Sequence, residues 1–317
     1  MKFTLKQLNY FVAASEAGSI AHAAEQIHVS KASISTAITQ LEDTFNIQLF
    51  IRHHAQGVTL TSAGKSFLIE TKTLLRQAEH LQTQASQLSG EIFGSIQLGC
   101  FSPLAPIIIP ELVHGFMELH HNVMVETEEG NQAQLLESLK QGRSDLALSY
   151  NLHLDAQIEF LPLAQLHPYV LLSAKHPLAK AASISLRELR DDRLILLDLP
   201  LSRDYFMSLF SAAKIQPNIY TRTRQTDVVR GLVAKGYGYS IANVRPINQQ
   251  SLDGSQLVYL PLSDDFPTLT LGIMLLKSLR KVHVIEAFIA YCQSKVSQES
   301  IPGMLTLPRI LHKDGRD

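Results

Sequence analysis

The chain has 317 residues, more than one compact core accommodates and enough for two or three domains. Hydrophobic residues make up 45% and charged residues 18%, which excludes a disordered chain. The net charge of -1 excludes a uniformly basic nucleic-acid binder, so any surface for DNA has to be a local patch.

No apolar run approaches the roughly 20 residues needed to span a bilayer, and Met1 to Tyr10 lack the apolar block of a secretory signal. The expectation is a cytoplasmic protein with no membrane partner. Cys100 and Cys292 are the only cysteines and lie far apart, which argues against a disulfide scaffold.

Leu5, Leu8, Phe11, Val12 and Ser15 follow the spacing of one helix face, and Gly18 stops that helix. Ser19 caps a second helix, whose Ala23, Ala24 and Ile27 put small residues on one side. After the turn His28-Val29-Ser30, Ser30 caps a third helix that carries Ile34, Ile38, Leu41 and Phe45 inward. Its opposite face shows Lys31, Ser35, Thr36 and Thr39. Two short helices, a tight turn and a polar outer face fit a helix-turn-helix, and on periodicity alone they equally fit a generic three-helix bundle.

The detail of residues 3 to 65 resembles the DNA-binding signature of LysR-type transcriptional regulators without a gap. The matching elements are Phe11-Val12, Gly18-Ser19, Ala23-Ala24, Val29-Ser30, Ile34-Ser35, Ile38, Leu41-Glu42, Leu49-Phe50, Arg52 and Leu60 to Gly64. The resemblance implies a winged helix-turn-helix over residues 1–60 that binds double-stranded promoter DNA. Its third helix would enter the major groove and Arg52 to Thr59 would form the wing. The expected DNA-binding residues are Ser30, Lys31, Ser33, Ser35, Thr36, Thr39, Arg52 and His53. Where the family commonly has Gln-Pro after the capping serine this chain has Lys31-Ala32, and Thr36 and Thr39 stand where arginines are common. With few cations on the reading helix, affinity leans on Arg52, Lys65, helix N-termini and dimerisation.

From Thr61 to about Ser89 no proline occurs, and no glycine after Gly64. Phe67, Thr71, Leu74, Ala78, Leu81, Ala85 and Leu88 repeat with 4-3 spacing, which predicts a linker helix over 61–89. Such a seam either pairs with a second copy or lies on its own domain. The family uses this helix for dimerisation, so Phe67, Leu74, Ala78, Leu81, Ala85 and Leu88 are its expected dimer contacts. The resemblance further implies a homotetramer, with RNA polymerase as a partner if the protein activates transcription.

Beyond Gly90 strands and helices alternate. Strands are predicted at Ile96–Gly99, Val123–Thr127 and Asp145–Ser149, with a Pro-broken helix from Ile108 to Leu119 and another from Gln132 to Gln141. This order implies a parallel sheet with right-handed crossovers. A second series runs from Tyr169 to Ala242, and Thr270–Leu276 with Val282–Ser294 returns to the first. The pattern resembles a bilobal α/β domain of periplasmic-binding-protein type over 92–300. Its lobes would be 92–165 with 267–300, and 166–266. Residues 301–317 read as a tail, swapped or disordered.

Ligands of such sheets sit beyond the carboxyl ends of the strands. That rule, with the family resemblance, nominates Ser102, Pro103, Asn131, Pro200, Leu201, Ser202, Arg203 and Thr226 for a small-molecule effector. Ordinary helix capping is the competing reading for the Ser, Thr and Asn among them. Arg203 is the candidate carboxylate partner, and helix starts plus an arginine favour an organic anion. No cofactor or metal is expected: no phosphate loop, nucleophile elbow or zinc signature occurs, and the histidine pairs His53-His54 and His120-His121 point to different sides of a helix. A bilobal enzyme and a thiol-based redox sensor using Cys100 are the alternatives.

Overall fold

The computed structural model describes residues 2–53, 57–86, 92–278 and 281–305. The chain divides into two compact units, one up to residue 91 and one from residue 92 onward.

In the first unit, α1 (Leu5–Ala17) begins in a capping box between Thr4 and Gln7 and ends at Gly18, whose φ of 61° needs no Cβ. Helix α2 (Ile20–Gln26) is capped by Ser19 and α3 (Lys31–Phe45) by Ser30. Leu8, Phe11, Ala14, Ala23, Ile34, Ile38 and Leu41 form the core of this unit. Phe45 departs from expectation: it is 38% exposed, and its ring lies between those of Phe3 and Phe67 at the edge of that core.

Strands β1 (Phe50–His53) and β2 (Gly57–Leu60) form an antiparallel wing. Helix α4 (Ser62–Ser86) follows, and Phe67 packs on Phe11 with ring centroids 5.3 Å apart. The first turns of the predicted seam therefore lie on their own unit. Phe67 and the buried Thr71 face inward, while Leu74 is 37% exposed and Ala78 half-buried. The side chains of Leu81 and Ala85, and all of Leu88, lie outside the described residues.

The second unit holds two sheets-with-helices lobes. Its first lobe has a five-stranded sheet in the order β4-β3-β5-β12-β6, built from β3 (Gly94–Phe101), β4 (Val123–Gly130), β5 (Leu146–Tyr150), β6 (Ile158–Leu166) and β12 (Leu269–Leu276). Pairs β3–β4 and β3–β5 are parallel as expected, but β12 is antiparallel to both β5 and β6. The sheet is mixed because the outgoing and returning connections to the second lobe run along it. Between β3 and β4 the helical run starts at Ala105, earlier than predicted. It comprises α5 (Ala105–Ile109), a π turn (Pro110–His114) and α6 (Gly115–Leu119). Pro110 lacks an N–H and its ring crowds the preceding turn, and the wider π turn accommodates both. Helix α7 (Gln132–Lys140) joins β4 to β5.

In the second lobe β7 (Tyr169–Ser173) lies between β10 (Ser240–Ala242) and β11 (Leu257–Pro261), both antiparallel to it. Strands β8 (Arg193–Leu197) and β9 (Asn218–Thr223) pair in parallel, and Leu194 bridges to Tyr239. A 3-10 turn (Leu186–Leu189), α8 (Ser202–Ala212) and α9 (Thr226–Ala234) cover this lobe, while α10 (His283–Lys295) lies on the first. The start of the expected tail is ordered. Met304 bridges Pro246, the Arg245 guanidinium donates to the Leu305 carbonyl at 2.9 and 3.0 Å, and Ile301 and Met304 are buried.

Candidate DNA-reading face and effector cavity

Ser30 places its hydroxyl on the Ser33 N–H at 3.1 Å and on the Ser33 hydroxyl at 2.8 Å, which fixes the first turn of α3. Lys31, Ser33, Thr36 and Thr39 are exposed along one side and Ser35 is half-buried. Thr39 donates back to the Ser35 carbonyl at 3.1 Å. The face is polar and carries a single cation, Lys31.

Glu42, on the inner side of α3, fixes the approach to the wing. Its carboxylate accepts from the backbone N–H groups of Leu49 (2.8 Å) and Phe50 (3.2 Å), while Arg52 lies 3.9 Å away and 54% exposed. Two glycines permit close approach here. A Cβ on Gly64 would stand 2.1 Å from the Leu49 carbonyl oxygen, and one on Gly57 would stand 2.3 Å from that of Gly18. Consequently the Val58 N–H reaches the Gly18 carbonyl at 2.9 Å, and the wing docks on the α1–α2 turn. His53 bonds Thr59 across the wing at 2.9 Å; His54 lies outside the described residues.

In the second unit a cavity of about 50 Å³ opens between the lobes. The first lobe contributes Phe101, Pro103, Ile107 and Tyr150. Tyr169, Leu171, Leu197, Phe206, Val229 and Ile241 supply the apolar wall of the second. Ser202 and Thr226, the first residues of α8 and α9, also line it, and neither helix start carries a side-chain cap. Leu201, just before Ser202, sits at φ 67°, the kind of backbone strain that gathers at ligand sites. The hydroxyl of Ser202 and the Oδ1 of Asn243 are buried with no hydrogen-bond partner, the only such side-chain atoms among the described residues.

Arg230, 7% exposed, is on the cavity wall as well. It donates to the Tyr259 hydroxyl and to the carbonyls of Asn248 and Gln250, each at 2.7 Å. No carboxylate among the described residues forms an ion pair with it. Tyr150 and Tyr169 are fully enclosed, and burial pushes both phenols well above their ordinary range, so they stay neutral.

Of the eight nominated effector residues, Pro103, Ser202 and Thr226 stand on this wall. The other five do not. Ser102 is exposed, and Pro200 likewise; Leu201 packs on the core. Asn131 caps α7 through a box with Gln134, the common reason for an asparagine there. Arg203 pairs with Asp198 and Asp204, each at 3.2 Å, and these two carboxylates hold its guanidinium firmly charged and away from the cavity. The cation on the wall is Arg230 instead. It lies mid-helix, where its place in the sequence pattern gives no sign of a cleft.

Both cysteines are buried, with the thiol of Cys100 pushed well above its ordinary range by burial and that of Cys292 pushed up to about 12. Among the described residues no three His, Cys, Asp or Glu side chains cluster as metal ligands, and no helix is long and apolar enough to cross a membrane.

Two family models match the chain: the lysR-family bacterial regulatory helix-turn-helix over residues 5–65, and the LysR substrate binding domain over 89–297. The crystal structure of HinK, a LysR family transcriptional regulator from Pseudomonas aeruginosa, is 36% identical with a TM-score of 0.63, covering 93% of this chain and 99% of that one. The uncharacterised HTH-type regulator YybE of Bacillus subtilis strain 168 is 27% identical over 92% of this chain and 99% of its own. A hydrogen peroxide-inducible genes activator of Escherichia coli O6:H1 is 26% identical over 85% and 88%. With both units matched in order, the chain belongs to the LysR family of DNA-binding transcriptional regulators.

Proposed function

We propose that this regulator is controlled by a small organic anion held between the lobes of its second unit. One observation carries the reading: the uncapped starts of α8 and α9 and Arg230, unpaired with any carboxylate among the described residues, share the wall of one apolar cavity. Helix starts and a buried cation favour negative charge where water is excluded. The cavity is smaller than the roughly 150 Å³ that accommodates benzene. A ring-sized ligand therefore enters as the lobes move apart, and its differential affinity for the two arrangements is the regulatory signal.

In this reading Lys31, Ser33, Ser35, Thr36 and Thr39 meet base edges or phosphates in the major groove, and Arg52 and His53 contact the backbone from the wing. Ser30 holds the helix start. Leu74 and Ala78, continued by Leu81, Ala85 and Leu88, pair two copies so that two reading heads span a promoter, with the tetramer and any contact to RNA polymerase built on that pair. The site of action is the cytoplasm.

The test is fluorescence anisotropy of the full chain with DNA from upstream of its own gene, against a scrambled duplex, over several salt concentrations. Preference for the upstream DNA that weakens as salt rises is expected; equal binding to both duplexes overturns the reading face. In a thermal-shift panel carboxylates stabilise the protein and their amides do not. Stabilisation by neutral or cationic compounds alone sinks the anion.

The relative named as an activator of hydrogen peroxide-inducible genes raises thiol sensing as a second reading. The buried, protonated thiols of Cys100 and Cys292 disfavour it, since the thiolate is the reactive form. Peroxide is expected to leave DNA binding unchanged, and Cys100→Ser to behave as the parent.

A further inference from the structure

Asn243 follows β10 and is 4% exposed. Its Nδ2 donates to the Leu166 carbonyl at 2.9 Å and to the Tyr205 hydroxyl at 3.3 Å; that hydroxyl donates onward to the Pro267 carbonyl at 2.7 Å. Leu166 is the last residue of β6, where the chain leaves the first lobe. Pro267 stands just before β12, where it returns. The donor side of this one amide is thus tied to both connections between the lobes.

The orientation of the amide follows from its partners. Turned over, Oδ1 would face the Leu166 carbonyl oxygen, two acceptors with no proton between them. Oδ1 is therefore the free end. It is buried, has no partner, and belongs to a residue on the cavity wall. An acceptor in that position rewards a ligand that brings a donor and penalises one that does not. The aromatic side chains of Phe101, Tyr150 and Phe206 on the same wall suit a ring.

We infer that the effector is a small ring-bearing acid that also carries a hydroxyl or amino donor, and that Asn243 reads this donor and transmits it to the two connecting segments. The inference rests on the cavity being the effector site. Asn243 is the specificity residue; Tyr205 is a positioning residue that links it to the second connection.

The experiment uses the full chain with benzoate, its three monohydroxy and three monofluoro derivatives, and benzamide, read by calorimetry and by DNA anisotropy. Fluorine matches a hydroxyl in size without donating. At least one hydroxybenzoate is expected to bind about tenfold more tightly than the fluorobenzoate substituted at the same ring position, the range of a hydrogen bond to a buried acceptor. Asn243→Ala brings the pair to within about twofold. Tyr205→Phe keeps the preference but shrinks the change in DNA affinity that the ligand causes. Equal binding of every hydroxy and fluoro pair overturns the inference, as does a preference that survives Asn243→Ala. Should circular dichroism show Asn243→Ala unfolded, the parent pairs and Tyr205→Phe decide. Binding by none of the compounds overturns the ring-acid class. Equal binding of benzamide and benzoate, by contrast, removes only the anionic reading and leaves the donor preference standing.

Discussion

Helices α7 and α8 each begin after a strand of a parallel pair, yet their starts serve opposite ends. At α7, Asn131 and Gln134 satisfy each other, and the buried Gln132 donates to the carbonyls of Tyr150 and Leu152 at 3.0 and 2.9 Å while accepting from Ser149. Nothing polar is left over. At α8, Leu201 cannot cap, Ser202 is buried without a partner, and the neighbouring Arg203 turns outward to two carboxylates. A helix start that satisfies itself is scaffold; one that leaves buried groups unanswered is prepared to meet something else.

The largest effect that separates the two is expected from Ser202→Phe. Filling the cavity abolishes stabilisation by any carboxylate while promoter binding persists, and a ligand-induced thermal shift in this variant breaks the contrast. Asn131→Ala costs about 1 kcal/mol through the lost cap, seen as a lower melting temperature, with ligand affinity unchanged; a loss of affinity would move α7 into the site. Ser202→Ala runs the other way. Removing an unpaired buried hydroxyl leaves stability equal or higher by up to about 1 kcal/mol while weakening the ligand, both measurable in one urea titration with and without acid. Smallest of all, Arg203→Ala alters ligand affinity less than about twofold, because its pairs with Asp198 and Asp204 are screened by solvent and do not line the cavity.

The first unit was legible because its determinants are local. Caps at Ser19 and Ser30, the stop at Gly18 and the 3–4 spacing of Leu8, Phe11, Ile34, Ile38 and Leu41 all act within a turn or two of themselves. The second unit was legible as alternating strands and helices but not in its edges. Strand β6 contains Pro162, tolerated because β6 is the sheet's edge, and β11, also an edge, ends at Pro261. Both prolines hide a strand from a reading of pattern. The cavity was legible only where a strand end or helix start supplies a residue, hence Pro103, Ser202 and Thr226. Tyr150 closes β5 and Asn243 follows β10, strand ends that the same rule covers although neither was nominated, while Arg230 reaches the wall from mid-helix through tertiary packing, and its spacing along the chain carries no trace of it.

The short segment Ile301–Leu305 bears on how this protein can be shortened or tagged. The buried Arg245 guanidinium donates to one carbonyl, that of Leu305, and Gly303 lies so close to Ile107 of the first lobe that a Cβ there would stand 2.6 Å from its side chain. A chain cut at the last helix, after Lys295, would strand that cation in the interior and bare the flank of the effector unit. Expression for crystallisation or ligand screening should therefore retain residues through Leu305, and an affinity tag belongs beyond that point.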